Sequence, residues 1–498
     1  MKVLSAKWLT FCVVALSAVT IFMAAANFVE AQEAAAEITA AATEPAPSEA
    51  ASAEPAPAEA APATPDLSKV LDKGDQAWML TSSALVLLMT PGLAFFYGGL
   101  VRRKNVLSVL MQCFLCLGIV TVLWVVVGFS LAFGNDIAGS FIGNPMDYFM
   151  LKDIKADEAW SPVPGVWWPI SEQVFMIFQC MFAIITPSLI IGAFAERMKF
   201  SAFTIFVVLW VLFVYCPIAH WVWFGATLPV VGMIGAFDAA DGTPIGALDF
   251  AGGTVVHINA GIAALVCCIV MGKRADVPKG GVPPHNLPFA VLGAGLLWFG
   301  WFGFNAGSAG GATPQAVSAF VVTHVAAAAA ALAWSLVEWG AHGRPTMLGM
   351  ITGAVAGLVA ITPAAGFVEV GPALIIGAVA SLICYVFVAM VKPMVGYDDA
   401  LDVFGVHGIG GVWGAIATGI FAVPGFGLEK QGGWMYSGNP DQFLLQVKAV
   451  AVVAIYSAVA TLVILLLIKV IVGLRTSEEG ERLGLDLTDH SLPAYNEV

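Results

Sequence analysis

Residues 250–272 read FAGGTVVHINAGIAALVCCIVMG, an apolar run in which His257 is the only side chain with a charge to gain near neutral pH. About 20 apolar residues in a helix cross the ~30 Å of hydrocarbon in a bilayer. Comparable runs predict spans at 76–100, 106–133, 169–195, 200–225, 250–271, 287–308, 315–338, 346–362, 371–392, 403–423 and 443–473. The pattern therefore predicts an all-α polytopic membrane protein with eleven transmembrane helices.

Composition supports this class and excludes others. Hydrophobic residues make up 59% of the chain and charged residues 11%, whereas soluble domains carry about 25% charged residues. The net charge of -13 argues against a nucleic-acid partner, because phosphate binding needs basic patches. No phosphate-loop, zinc-protease or serine-hydrolase motif occurs. The cysteines lie in apolar segments; Cys113 and Cys116 have C-x-x-C spacing, but on a membrane helix without histidines beside them they are interpreted as small apolar filler. We expect no enzymatic activity, no cofactor, no disulfide framework and no metal site.

The two ends differ from the rest of the chain. Lysines, an apolar stretch and a small-residue cleavage signal within residues 1–31 predict a signal peptide. An uncleaved first span is the alternative. Residues 32–70 are rich in Ala, Pro and Glu, with too little apolar surface to order, and predict a disordered linker. The transmembrane domain then covers 71–473, and residues 474–498 form a tail.

The distribution of basic residues predicts the orientation. Loops and span ends expected in the cytoplasm contain Arg102, Arg103, Lys104, Arg197, Lys199, Lys273, Arg274, Lys279, Arg344 and Lys392. Loops expected outside contain Lys152, Lys155 and Lys430. This bias obeys the positive-inside rule. It places the mature N-terminus outside and, after an odd number of spans, the tail in the cytoplasm.

A weak internal repeat is visible in two spans. Asp249 opens the fifth span and His257 follows within it, while Asp402 opens the tenth and His407 follows. Tandem units with an odd number of spans insert with opposite topology, with the site at the repeat interface. The sequence thus predicts an inverted 5+5 pseudo-twofold repeat followed by a final long helix.

His257 and His407 are the leading candidates for function. Ionisable residues inside a membrane usually mark a pathway or a proton relay, and imidazole titrates near neutral pH. The structural alternative is an imidazole bonded to a neighbouring helix. Paired positions in two half-repeats favour the pathway. The remaining intramembrane and loop histidines have no such pairing and are interpreted as structural: His220, His285, His324 and His342.

Aromatic residues near small or polar ones suggest a cation as the substrate. The cluster consists of Phe178, Phe182, Trp223, Trp301 and Phe304, with Gln179, Thr186 and Ser308 close by in sequence. Cations are attracted to aromatic faces, Trp best. The alternative is that these rings serve lipid contact and interfacial belts.

Several longer strings carry a family resemblance. They are AFFYGGLVRRKNVLS at 94–108, GAFAERMKFSA at 192–202, GALDFAGGTVVHINAG at 246–261, PHNLP at 284–288, GWFGFNAGSAGG at 300–311 and DVFGVHGIGG at 402–411. In this order they closely resemble the ammonium transporter (Amt) family over about residues 70–496. The resemblance implies eleven spans, one pore per subunit, a homotrimer in the bacterial inner membrane, and a cytoplasmic tail that accompanies regulation by a PII-type protein.

Carried over residue by residue, the resemblance assigns an outer ammonium recruitment site to Phe182, Trp223 and Ser308. Phe182 and Phe304 become a stacked gate beneath that site.

The resemblance makes His257 and His407 the paired pore histidines, with Trp301 beside them. Asp249 is expected to be first an N-cap of the fifth span and second an electrostatic support for a cation. Phe178 and Gln179 are grouped with it as supporting residues.

A mechanism follows from the cost of desolvation. Transfer of an ammonium ion from water to hydrocarbon costs tens of kcal/mol in the Born limit, whereas each cation-π contact offsets only ~1–2 kcal/mol. We therefore expect ammonium, or methylammonium as an analogue, to lose its proton near the gate and pass as ammonia. The route of the proton stays open. A sensor acting through the tail, and a gas channel of the related Rhesus type, are the alternatives.

Overall fold

The computed structural model describes residues 70–137, 141–161, 168–224, 246–275, 277, 282–424 and 432–495. The chain separates into a unit Met1–Val70 and a unit Leu71–Val498, and the fold concerns the second. The predicted signal peptide, 1–31, and the linker, 32–70 up to its last residue, lie outside the described residues. Both remain predictions.

The described part of this unit contains eleven apolar helices: α1 Lys73–Leu100, α2 Arg103–Phe133, α3 Glu172–Phe194, α4 Phe200–Phe224, α5 Gly253–Met271, α6 Leu287–Ala309, α7 Pro314–His342, α8 Met347–Ile361, α9 Val370–Val395, α10 Phe404–Phe421 and α11 Asp441–Ile471. All except α8 are long and apolar enough to cross a bilayer. The prediction of an all-helical fold with eleven spans is confirmed, with boundaries within a few residues.

Helix α8 is the short one, with 15 residues. It ends just before Pro363, whose ring cannot continue a helix. The backbone carbonyl of Pro363 accepts the amide of Phe250 at 3.2 Å. The end of α8 is therefore fixed against the start of α5, where the candidate residues begin.

Three candidate residues lie in π-helical turns within otherwise α-helical spans. His257 lies in Gly253–Ile258, His407 in Phe404–Gly408 and Trp223 in His220–Phe224. Such turns are rare and are frequent at functional sites. Hydrophobic pattern does not distinguish them from α-helix, so they were not predicted.

Helices α5 and α10 cross in the centre of the bundle. A side chain at Gly261 would place its Cβ 2.2 Å from the backbone nitrogen of Gly408. Only glycine allows the two backbones to approach this closely. Since Gly408 follows His407 directly, the crossing brings the two half-repeats together at the histidines.

The tail folds against the ends of other helices through α12, Glu478–Leu483, and α13, Leu485–His490. Asp486 Oδ1 accepts the backbone N–H of Ser108 at 2.8 Å, and Asp489 Oδ2 accepts that of Phe200 at 3.1 Å. Both amides lie in the first turns of α2 and α4, where backbone donors lack helical partners. The tail thus caps two transmembrane helices.

On the opposite end, α2 leads into a small hairpin in which β1, Asp136–Ile137, pairs antiparallel with β2, Ile142–Gly143. This hairpin lies beside the last turn of α4 through the bond between Trp221 Nε1 and the Phe141 carbonyl, at 2.8 Å.

Candidate functional site

The start of α5 is built around the carboxylate of Asp249. Its Oδ1 accepts the backbone amides of Gly252 and Gly253 at 2.9 and 2.5 Å. Its Oδ2 accepts those of Thr254 and Val255 at 2.8 and 3.1 Å, and also the Thr254 hydroxyl. Both oxygens are therefore engaged by the helix N-terminus, whose dipole favours a negative charge. This geometry agrees with the expected capping role of Asp249.

The start of α10 repeats this arrangement with Asp399. Its Oδ2 accepts the amide of Phe404, five residues later, at 2.8 Å. Asp249 Oδ2 likewise accepts the amide of Thr254, five residues after it. Asp399 precedes His407 by eight residues, as Asp249 precedes His257. The prediction that Asp402 is the counterpart of Asp249 is therefore wrong.

Asp402 instead matches Gly252. Both lie five residues before a histidine and both have left-handed backbone, with φ of 61° and 110°. Asp and Gly are among the residues that adopt this conformation at low cost. In the sequence, Asp402 is marked by its Gly-rich surroundings. Asp399 is marked by its position eight residues before His407, the same spacing as between Asp249 and His257.

The two predicted pore histidines are in direct contact. Their Nδ1 atoms lie 3.2 Å apart and their rings stack at 5.2 Å and 28°. One Nδ1 must donate and the other accept, so one Nε2 carries a proton and the other does not. Among the described residues, His257 Nε2 is buried without a hydrogen-bond partner. The pair therefore offers one donor and one acceptor to a small polar molecule.

The rings of Trp301 and Phe304 both stack against the ring of His257, at centroid distances of 5.4 and 6.0 Å. The indole of Trp301 donates to Thr362 Oγ1 at 2.8 Å, which fixes the ring. The cavity beside the histidines has about 10 Å³ for the centre of a water-sized molecule, and its other walls are apolar. This is room for about one such molecule.

Above this cavity, the side chains of Phe182 and Phe304 contact each other. Their rings lie 4.3 Å apart at 35°, and both side chains are buried. Phe182 also meets Trp223 edge to face at 5.6 Å and Phe178 at 5.0 Å. The two residues predicted to form the gate are thus in contact.

An outer cavity of about 100 Å³ lies on the other side of the gate, with Phe178, Gln179, Phe182, Trp223 and Ser308 among its lining residues. Ser308 donates its hydroxyl proton to the Phe304 carbonyl at 2.9 Å, so its oxygen can accept. Gln179 Oε1 is buried without a partner among the described residues. Aromatic faces with two free acceptors suit a small cation that donates N–H bonds.

Trp223 is oriented by its bond to the segment before α5. Its Nε1 donates to the Asp249 carbonyl at 3.0 Å. That segment is in turn held by Gln446 of α11, which accepts the Leu248 amide at 2.6 Å and donates to the Leu248 carbonyl at 2.8 Å and to the Ala415 carbonyl at 2.9 Å. Sequence analysis missed Gln446. A buried polar residue in the apolar run of α11 was the signal available.

Of the histidines interpreted as structural, three have hydrogen-bond partners: His220 contacts Ala132 and Asp136, His285 contacts Val101 and Tyr495, and His342 contacts Tyr385. These contacts agree with a structural role. The fourth, His324, lies on the outward surface of α7.

Below the histidines, a wider cavity of about 760 Å³ opens among charged residues. Asp398 pairs with Arg274 there, with the bond to Arg274 Nη2 at 2.8 Å. Burial alone would raise the pKa of Asp398, but hydrogen bonds and charge from Arg274, with charge from Arg197, outweigh it and lower the pKa to about 2. Sequence analysis did not single out this pair.

The neighbouring Asp399 behaves in the opposite way. Burial raises its pKa to about 6, against the lowering effect of Lys392 and with a further rise from Asp402. Lys392 donates to the Asp399 carbonyl at 2.9 Å and to the Asp402 carboxylate. The wider cavity below the histidines is therefore bordered by charged residues, whereas the cavity beside Trp223 is mainly aromatic.

Known proteins resemble this chain over most of its length. A family model described as Ammonium Transporter Family matches residues 77–495. An ammonium transporter of Aquifex aeolicus is 51% identical over 427 residues, which is 86% of this chain and 94% of that protein. An ammonium transporter of Bacillus subtilis is 46% identical over 430 residues, 86% of this chain and all of that protein.

Solved structures match as well. The crystal structure of Candida albicans Mep2 superposes with a TM-score of 0.73 at 35% identity, over 83% of this chain and 88% of that chain. A structure titled Sensor Amt Protein gives a TM-score of 0.73 at 28% identity, over 83% and 98% of the two chains.

Proposed function

The chain belongs to the ammonium transporter family, and from this premise we propose how it moves ammonium across the membrane. Its relatives are named as transporters, which confirms the prediction that it is a multi-pass transporter and not an enzyme. The proposal concerns the path of the substrate, the place where the ion loses its proton, and the assembly.

Ammonium first enters the outer cavity. The faces of Trp223 and Phe182 attract the cation, and the oxygens of Ser308 and Gln179 accept its N–H bonds. Phe178 packs behind Phe182 and supports it. Asp249 contributes a fixed negative charge nearby, although its oxygens are occupied by the start of α5. The free acceptor on Gln179 supports this step, because buried acceptors without partners are rare.

The ion then gives up its proton at the gate. Its desolvation costs tens of kcal/mol in an apolar medium, and a few cation-π contacts of ~1–2 kcal/mol cannot offset that. Neutral ammonia avoids this cost. It has both a lone pair and N–H donors, which match the protonated Nε2 of one histidine and the unprotonated Nε2 of the other. The Nδ1–Nδ1 contact of 3.2 Å between His257 and His407 is the observation that carries this proposal.

The test is uptake of labelled methylammonium by cells that lack other carriers. We expect His257→Ala and His407→Ala each to lower uptake tenfold or more, or to admit other cations. Val459→Ala is the matched control, since Val459 is 58% exposed on the outward surface of α11. Uptake and selectivity equal to wild type in both histidine variants would overturn the relay role.

The proton either follows by a separate path or returns outside. Measuring current in proteoliposomes on addition of ammonium decides between them. A current that scales with uptake makes transport electrogenic. Uptake without current makes it electroneutral.

The assembly and its surroundings are also part of the proposal. The chain forms a homotrimer in a bacterial cytoplasmic membrane, with the mature N-terminus outside. The tail, residues 474–498, lies in the cytoplasm and offers a surface to a PII-type protein. The bias of basic residues supports this orientation, and the tail contacts at Ser108 and Phe200 support a folded tail.

A second function, sensing, is favoured by the similarity to the structure titled Sensor Amt Protein. A sensor would report ammonium through its tail without requiring flux. Cells carrying His257→Ala distinguish the two functions, because a sensor keeps an ammonium-dependent response after uptake is lost. Loss of both supports transport as the primary role.

A further inference from the structure

The last turn of α4, His220–Phe224, is π-helical and contains Trp223. An α-helix has about 3.6 residues per turn, so each residue gained or lost turns the following side chains by about 100°. The wider bonding pattern of a π-helical turn adds one residue to it. A change of this turn to α-helix would therefore turn Trp223 away from the outer cavity. The direction of Trp223 depends on the contacts that keep the turn π-helical.

His220 is the first residue of this turn and is fully buried. Its Nδ1 lies 3.0 Å from the carbonyl oxygen of Ala132, in the last turn of α2, and its Nε2 lies 2.6 Å from Oδ1 of Asp136, in β1. A carbonyl and a carboxylate only accept, so both contacts are made when the ring donates from both nitrogens. Charge-assisted bonds of this kind are about twice as strong as neutral ones. The ion pair therefore ties the end of α4 to α2 and to the hairpin.

The ring of His220 also lies behind the wall of the outer cavity. It stacks on the ring of Phe224 at 5.3 Å and 24°. Phe224 in turn meets Phe133 edge to face, at 6.2 Å and 85°. Phe133, Trp223 and Phe224 line the outer cavity, whereas His220 is not among the described residues that line it. The ion pair thus supports the cavity from outside.

The π-helical turns that contain the pore histidines are held by carboxylates as well. Asp249 accepts backbone amides in the turn of His257, and Asp399 accepts one in the turn of His407. At α4 the carboxylate comes from the hairpin and acts through the side chain of His220. An acidic group therefore holds each of the three turns that carry candidate residues.

We propose that Asp136 and His220 are positioning residues for ammonium binding: their ion pair holds the last turn of α4 so that Trp223 faces the outer cavity. The inference rests on the proposed recruitment of ammonium at Trp223 and adds to it the residues that set the affinity of that site without touching the ion. Loss of the pair weakens binding of the cation and leaves the later steps at the histidines unchanged.

Uptake of labelled methylammonium by cells that lack other carriers tests this role. Asp136→Ala removes the carboxylate, and we expect the KM to rise at least fivefold while the maximal rate stays within twofold. Asp136→Asn keeps both contacts, because its amide donates to Nε2 of His220 while Nδ1 still donates to Ala132. We expect the KM of the Asn variant within twofold of wild type.

Asp157→Ala is the control for the loss of a negative charge. Asp157 is exposed in the same connection between α2 and α3, and we expect this variant to keep the KM of wild type. Equal KM values for Asp136→Ala and Asp157→Ala would overturn the proposal. An equal rise in KM in the Asn and Ala variants of Asp136 would overturn it too, because the hydrogen-bonded contact would then not be the cause.

Trp223→Ala separates the positioning role from the recruitment site. We expect this variant to raise the KM by itself, and the double variant with Asp136→Ala to raise it less than twofold further, because residues that act through one another are not additive. A further rise of fivefold in the double variant would contradict the positioning of Trp223 alone. A KM for Trp223→Ala equal to wild type would contradict the recruitment site on which the inference rests.

Discussion

The start of α5 and the start of α10 have the same local design but different surroundings. Each has an aspartate eight residues before a histidine and a left-handed residue at the third position after that aspartate. At α5, both oxygens of Asp249 are occupied by backbone donors and the adjoining carbonyl holds Trp223. At α10, Asp399 Oδ1 has no hydrogen-bond partner among the described residues, and charged side chains surround it.

The comparison indicates that the two helix starts share a backbone design and differ in their surroundings. The repeat supplies two capped helix starts that bring the histidines together, and the residues around each start determine what it does. The start of α5 supports the aromatic cavity that we propose selects the cation. The start of α10 lies beside the large charged cavity that we propose releases the substrate into water.

The largest effect, a loss of stability, is expected from Asp249→Asn at the start of α5. Asparagine has a single carbonyl oxygen, so at least two backbone N–H groups at the start of α5 lose their acceptor. Each buried unsatisfied donor costs about 1–3 kcal/mol, and we expect a loss of about 3 kcal/mol or more in stability. The thermal midpoint of the purified protein measures this. A midpoint equal to wild type would show that the carboxylate is not the main cap.

A smaller effect, on substrate binding, is expected from Gln446→Leu. This change releases Leu248 and with it the carbonyl that orients Trp223. We expect the KM for methylammonium to rise about tenfold while the maximal rate stays within threefold. Gln442→Leu is the matched control, one turn earlier on α11, because Gln442 reaches Gly246 and Gln446 but not Leu248. Equal KM changes in the two variants would remove the positioning role of Gln446.

The smallest effect is expected from Asp399→Asn. It is an effect on stability, with the opposite sign to that of Asp249→Asn. The pKa of Asp399 in the folded protein is raised to about 6, so its charged form is disfavoured by folding. The unfavourable contribution therefore grows as pH rises from about 4 to about 6 and is constant above. At pH 7.5 the variant should be as stable as wild type or more stable by up to about 2 kcal/mol. At pH 4 the gain should vanish.

The pH series on Asp399→Asn has a built-in check in Asp398. Its pKa is lowered to about 2, so its contribution to stability is present above about pH 4 and is lost only as pH falls towards 2. A stability gain in Asp399→Asn that persists unchanged at pH 4 would show that the cause is packing and not charge.

Sequence alone predicted most of the fold and the candidate residues of the site. Span lengths depend on bilayer thickness and hydropathy, which are legible in residues such as those of 250–272. The pairing of His257 with His407 followed from repeat position.

The parts that could not be predicted depend on geometry. The π-helical turns that carry the histidines leave no hydrophobic signature. The role of Gln446 requires knowing that α11 lies beside Leu248. The sequence analysis paired Asp402 with Asp249 and did not consider Asp399, and the left-handed backbone at Asp402 became visible only in three dimensions.

Potassium flux tests the central claim, that only a neutral molecule passes the histidines. Potassium is a cation that the outer aromatic site can attract, but it has no proton to lose. In proteoliposomes containing the full chain, the account predicts methylammonium uptake with potassium flux no greater than in protein-free vesicles. Potassium flux at a rate comparable to that of methylammonium would contradict it, because an intact ion would then have crossed the apolar cavity.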